Sequence, residues 1–208
     1  MIYIITHIPY KHDIQPFYEL LKVGDMFDHP EQENINYLNK HINELTGLYQ
    51  LWKNYHDEYL GLAHYRRRLG IDGHILGHNE GIDILSENDI ILAKQMGFGD
   101  TLYEFMARDF KTEIGRFNRY IDIICDEDMK YFLRTEHNLY PRNMFFAKKE
   151  LIDQYCEWLF PKIMPAAEMF KQEKTDHPRM LGYLSERFLT YWVKSQELKV
   201  YEAEVIDL

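Results

Sequence analysis

The densest group of reactive side chains is His64-Tyr65-Arg66-Arg67-Arg68, directly after the apolar run Tyr59 to Ala63 (YLGLA). Three consecutive guanidiniums stand against the trend of a chain with 24 Lys and Arg, 34 Asp and Glu and a net charge of −10. A guanidinium presents its N–H groups as a planar fork that fits two oxygens of one phosphate, so a diphosphate is the ligand this cluster suits. The competing reading is a strand end whose arginines are solvated and paired with surface carboxylates. Other polar groups also stand beside apolar runs. Thr6 and His7 follow Ile2 to Ile5, and a satisfied structural histidine would look the same. Asn143 opens the run NMFFA, where it either binds a ligand or serves a turn after Pro141. Glu186 lies one position off the apolar face of a helix, beside Arg187. There it is placed as a general base for a hydroxyl, or as half of an ion pair with Arg187 or Arg179.

Other chemistries find less support. Asp126 and Asp128 imitate a D-x-D metal motif, but helical spacing around them favours a solvated helix end. His74 and His78 stand near Asp72, among Gly73 and Gly77 that argue for a loop rather than a regular ligand set. No Gly-rich phosphate loop, G-x-G-x-x-G, G-x-S-x-G or Cys-x-x-Cys occurs, which disfavours NTPases, nicotinamide dehydrogenases, serine hydrolases and zinc fingers.

A scaffold must bring these positions together. Ile2–Ile5, Tyr59–Ala63, Asp89–Ala93 and Asn143–Ala147 read as short buried strands, with a β segment from Val200 to Ile206. Leu45, Leu48, Tyr49 and Trp52 mark an amphipathic helix with Asn43 as its N-cap. Residues 101–133 read as mostly helical. A further helix carries Leu151, Ile152, Tyr155 and Leu159, with Pro161 beyond its end, and a last one carries Leu181, Leu184, Phe188 and Trp192. Residues 25–40 and 70–87 read as loops. Strands alternating with helices predict an α/β fold, one domain over 1–208, with a mostly parallel sheet covered on both faces. Ligands of such sheets bind beyond the carboxyl ends of the strands, where Thr6-His7 and the His64–Arg67 run both lie.

Composition narrows the partners. The 208 residues, 46% hydrophobic, can bury a core without metal or disulfide. The acidic balance disfavours a general nucleic-acid binder, which at this size is normally basic. Cys125 and Cys156, both among apolar residues, read as buried thiols of a reducing compartment. No apolar run approaches the roughly 18–20 residues of a membrane span, and the N-terminus has no signal-peptide pattern, so a cytoplasmic location is expected. Aromatics make up 15% of the chain, serving a core or surfaces that stack on sugars and bases.

Four segments, ELTGLYQLWKN (44–54), EYLGLAHYRRRL (58–69), RNMFFAKKELIDQYCEWLF (142–160) and GYLSERFLTYWV (182–193), resemble in order the hallmark blocks of a bacterial family. That family was long catalogued as a domain of unknown function in capsular and exopolysaccharide biosynthesis clusters, and its members are regarded as glycosyltransferases. The opening IYIITHIPY and Lys22-Val23-Gly24 fit the same family. The resemblance implies a GT-A-like (Rossmann-type) nucleotide-sugar-binding domain. It implies transfer from a UDP-linked donor, with galactofuranose one candidate sugar, to a growing, lipid-linked surface polysaccharide. Peripheral association with the inner face of the plasma membrane would then come through the acceptor. Under it, Thr6 and His7 meet the nucleoside, His64, Tyr65, Arg66 and Arg67 hold the donor's diphosphate, Asn143 faces the sugar, and Glu186 is the base. Where many such transferases carry D-x-D after a strand, this chain has His64-Tyr65-Arg66, so neither a divalent metal nor another cofactor is expected. The alternatives are a non-catalytic scaffold of polysaccharide assembly and another nucleotide-using transferase or hydrolase.

Overall fold

A computed structural model describes residues 1–208. In chain order the elements are β1 (Ile2–Thr6), β2 (Tyr18–Lys22), α1 (Asn39–Ile42), α2 (Leu45–Asn54), β3 (Tyr59–His64), β4 (Arg67–Ile71), β5 (His74–Ile75), α3 (His78–Ile84), β6 (Ile90–Ala93), β7 (Met96–Gly97), α4 (Leu102–Asp109), α5 (Ile114–Ile124), α6 (Glu127–Thr135), β8 (Asn138–Leu139), β9 (Phe145–Lys148), α7 (Lys149–Lys171), α8 (Met180–Ser195) and β10 (Val200–Asp207). Eight strands form one sheet in the order β2-β1-β3-β9-β6-β10-β4-β5, and β7 pairs with β8 apart from it.

The sheet is mixed, which corrects the expectation of a mostly parallel one. β1 runs parallel to β2 and β3, and β6 to β10. The pairs β3–β9, β6–β9, β10–β4 and β4–β5 are antiparallel. The connection from β6 to β9 leaves and re-enters at the same end of the sheet, so β9 has to run back between β3 and β6. A tight turn over Tyr65-Arg66 reverses β3 into β4, with His64 paired to Arg67. One end of the sheet therefore collects the C-terminal ends of β1, β3, β6 and β10 together with the starts of β4 and β9.

The two faces are covered unequally. A core of 44 buried residues joins one face to most of the helices, while 13 buried residues line the other. On the larger side α2 buries Leu45, Leu48 and Leu51. Its Gly47 lets the helix close onto β1, since a Cβ there would lie 2.4 Å from Ile5 Cδ1. The segment read as a loop over 70–87 contains the end of β4, β5 and α3. The helical stretch 101–133 is divided into α4, α5 and α6, and α4 opens with a capping box in which Thr101 and Glu104 exchange hydrogen bonds.

Helix α7 runs through Pro161 and Pro165 rather than ending before them. The prolines are four apart, both exposed, and the carbonyls they leave unpaired, of Glu157 and Pro161, belong to exposed residues that water can reach. Beyond them Ile163, Ala166, Ala167 and Phe170 are fully buried, and that burial carries the helix onward.

Candidate functional site

The sheet end described above opens onto a cleft of about 580 Å³ between β1, the Tyr65-Arg66 turn and the start of α2. Ile5, Val23 and Tyr65 give it an apolar side, and His7, Asn39, Asn43, Glu44 and Arg179 a polar one. Tyr65 is its centre. The Tyr65 ring stacks on His64 at 4.5 Å between centroids, meets the edge of His7 at 5.2 Å, and carries the Arg66 guanidinium over its face at 4.9 Å.

Glu44, just ahead of α2, is one of two carboxylates that line the cleft, with Asp25. His64 Nε2 lies 3.1 Å from its Oε1, and both side chains are mostly buried. The Arg66 backbone N–H donates to His64 Nδ1 at 3.4 Å, so the ring proton belongs on Nε2 and is donated to Glu44. Burial acts to raise the Glu44 carboxyl, but the hydrogen bond from His64, with the charge of Arg179, outweighs it and holds Glu44 below the ordinary carboxylate range. His7 is pulled below its usual value, first by burial and then by the charges of Arg179 and Arg66, with Glu44 opposing. It is neutral at pH 7.

A second group flanks the cleft. Arg142 and Asn143 take successive left-handed conformations, φ 74° and 51°, in the turn that starts β9. Asparagine tolerates that region; arginine there is strained. Asn143 Nδ2 donates to Ser185 Oγ at 2.9 Å, which ties the turn to α8, and Asn143 Oδ1 is buried without a partner. Next along α8, Glu186 has a side chain 19% exposed and stands 3.7 Å from Arg187. Desolvation raises its carboxyl, the nearby charge of Glu44 adds to this, and Arg187 and Arg142 oppose it. Arg142 in turn feels Arg67, Asp207 and Glu186. The site thus holds two carboxylates whose surroundings push their proton affinities apart, a pattern that separates acid–base roles.

The residues expected to bind the donor or act in transfer all reach this end of the sheet, by different routes. His7 and Tyr65 line the cleft, His64 stands behind Glu44, and Arg66 is exposed at the turn. Arg67 pairs with Asp207 at 2.7 Å. Thr6 is buried beneath, its hydroxyl donating to the Ile8 carbonyl at 2.6 Å. Arg68 is wholly buried, donating to the carbonyls of His64 and Arg67 at 2.5 and 2.8 Å and to the Tyr10 hydroxyl. It clamps the turn that presents Tyr65 and Arg66. Asn143 and Glu186 form the flanking group.

Other motifs stay apart from the cleft. Asp126 is the N-cap of α6, accepting from the Met129 amide at 3.0 Å, so the D-x-D is the start of a helix. His74 pairs with Glu80, while His78 stacks on Phe17. Glu44, Asn43 and Arg179 were not legible as site residues. Asn43, expected as an N-cap, instead ends α1 with φ 50°, and its Oδ1 accepts from Arg179 Nε at 3.0 Å. The one available signal was Glu44 itself, a carboxylate at the head of an apolar helix stripe.

Comparison with known proteins follows the same outline. No curated protein has a matching sequence. Among solved structures, the apo structure of WbbM, a bifunctional glycosyltransferase, aligns over 100% of this chain with a TM-score of 0.80 at 23% identity. The chain spans 45% of that one, about half its length, and the two share a fold over that part. No helix here is long and apolar enough to cross a membrane. The sheet-end cleft and the blocks that build it fall within residues 1–197, which match the family described as a domain of unknown function (DUF4422), and the chain belongs to that family.

Proposed function

We propose that the chain is a glycosyltransferase that moves a sugar from a nucleotide-sugar donor, UDP-linked, to a hydroxyl of a growing surface-polysaccharide acceptor. The observation that carries this reading is the convergence, at one sheet end, of the Tyr65-Arg66 turn with two oppositely tuned carboxylates. The shared fold with a glycosyltransferase supports it. His7 and Tyr65 take the nucleoside, and Arg66 with Arg67 takes the diphosphate. Asn143 lies toward the sugar. In the transfer step the acceptor oxygen bonds to the anomeric carbon, the bond from that carbon to the diphosphate breaks, and the diphosphate leaves with the electron pair. The acceptor's proton passes to Glu186, whose raised proton affinity makes it a stronger base than an ordinary carboxylate. Negative charge grows on the leaving diphosphate, and fixed guanidiniums there stabilise the transition state more than the ground state. Two guanidiniums match the formal charge of one divalent ion, so the reaction proposed needs no metal. A lipid-linked acceptor would bring the protein to the inner face of the plasma membrane.

Thermal shift with a nucleotide panel tests the binding half. UDP or a UDP-sugar raises the melting temperature more than adenine nucleotides do, by mass action on the folded state. In Arg66→Ala the shift shrinks while the unliganded melting temperature stays, because Arg66 is exposed and only lies over Tyr65. Equal or absent shifts across the panel at millimolar concentration would refute the nucleotide-sugar reading.

A further inference from the structure

We propose that Glu44 is the residue that grips the diol of a hydroxylated ring, ribose or transferred sugar, in the cleft, with His64 as the residue that positions it. The proposal rests on the nucleotide-sugar reading and adds to it a specificity-determining group. Glu44 lines the cleft, and its side chain is 16% exposed. Its place is fixed from the sequence upward, since Gly47 lets α2 press onto Ile5 and so sets the head of the helix at the end of β1.

An ionised carboxylate can accept about four hydrogen bonds. The one side chain bonded to Glu44 is His64, through Oε1. Arg179, which also lines the cleft, gives its Nε to Asn43 instead. The remaining acceptor capacity therefore faces the cleft. A ligand that fills it must bring donors to the carboxylate, beside the amides of Asn39 and Asn43 and the cations Lys40 and Arg179 that also line the cleft. Phosphate brings no donor to this carboxylate and is repelled by its charge, so a diphosphate is bound by the cations and not by Glu44. Vicinal hydroxyls bring two O–H donors at the spacing of a carboxylate. The low proton affinity of Glu44 keeps it an acceptor through the neutral range, whereas Glu186 is left for proton transfer. Because the Arg66 amide holds His64 Nδ1, the same turn that carries the guanidinium also aims the carboxylate.

Calorimetry with UDP, 2′-deoxy-UDP and 3′-deoxy-UDP, together with donor turnover, tests this on wild type, Glu44→Gln and Glu44→Asp. If the ring is the ribose, the wild type prefers UDP over one deoxy analogue. Glu44→Gln then weakens UDP about tenfold to a hundredfold and erases that preference. If it is the transferred sugar, UDP affinity is unchanged and the KM for the donor rises by a similar factor. Glu44→Asp keeps the charge but withdraws it by one methylene, and shows the same loss should the glutamine variant fail to fold. His64→Gln, whose amide can still donate, retains more affinity than His64→Leu at equal thermal stability. Wild-type affinity and KM in both Glu44 variants, alongside normal wild-type turnover, would overturn the role of Glu44 alone. A wild type that binds neither UDP nor any UDP-sugar would overturn the underlying reading and this proposal with it.

Discussion

Glu186 and Glu44 share one site and one chemistry, yet their surroundings set them in opposite directions. Glu186 is desolvated on α8 with Arg187 beside it at 3.7 Å, and its carboxyl is raised. Its folded form therefore holds a proton that the unfolded chain has already lost, so stability contributed by this group falls as pH rises from the ordinary carboxylate range toward the raised value. Glu186→Gln removes that slope from the melting-temperature profile. The same variant keeps UDP affinity but loses transfer by about 10²–10⁴-fold, and with it the acid limb of kcat that lies above ordinary carboxylate titration. A lower melting temperature with full activity per folded molecule would instead make Glu186 a structural residue. At this scale the sequence revealed side chains with unusual chemistry but not their partners. The run His64 to Arg68 was visible as a cluster, yet its members divide among Glu44, the Tyr65 ring, Asp207 and a buried clamp under the turn. Two of those partners, Glu44 and Asp207, are 20 and 140 residues away in sequence, and no local pattern encodes them.

Among the elements, α8 does most to shape the site, since it carries Glu186, anchors Asn143 through Ser185 and presses on Asn43. Its Gly182 leaves no room for a side chain, because a Cβ there would sit 2.0 Å from Asn43 Nδ2. Alanine is the better helix former by about 1 kcal/mol, but forcing Asn43 from its φ of 50° is an overpacking cost of about 1–3 kcal/mol. Gly182→Ala is therefore expected to melt lower than wild type and to bind UDP more weakly, since Asn43 and Arg179 line the cleft. An alanine variant that melts higher and binds normally would show that the α1–α2 junction yields without disturbing the site. Strand positions were legible from apolar runs, as β1, β3, β6 and β10 show. Strand direction was not, because a strand buried on both faces reads alike both ways. The length of α7 was hidden for a related reason. Proline marks a helix end locally, and only tertiary burial of Ile163 to Phe170 shows that it does not act as one.

For the molecule as a whole, the mixed sheet matters because it reverses strands into the site. Antiparallel β4 and β9 bring Arg67 and Arg142-Asn143 to the same end as His7 and His64, which an all-parallel sheet would supply from carboxyl ends alone. The result is a net −10 chain with a concentration of guanidiniums at one sheet end, a contrast that suits a diphosphate there. The chain shares its fold with WbbM over its whole length at 23% identity, and the proposal stands on the residues gathered at the sheet end. The most direct test is nucleotide release from a panel of UDP-sugars, with metal-stripped wild type and Arg66→Ala, in excess chelator and with added Mn²⁺. The account predicts UDP released from at least one donor in the presence of a glycan acceptor, undiminished by chelator, little changed by Mn²⁺ and reduced tenfold or more in Arg66→Ala. Release abolished by chelator and restored by Mn²⁺, or a variant that turns over like the wild type, would contradict it.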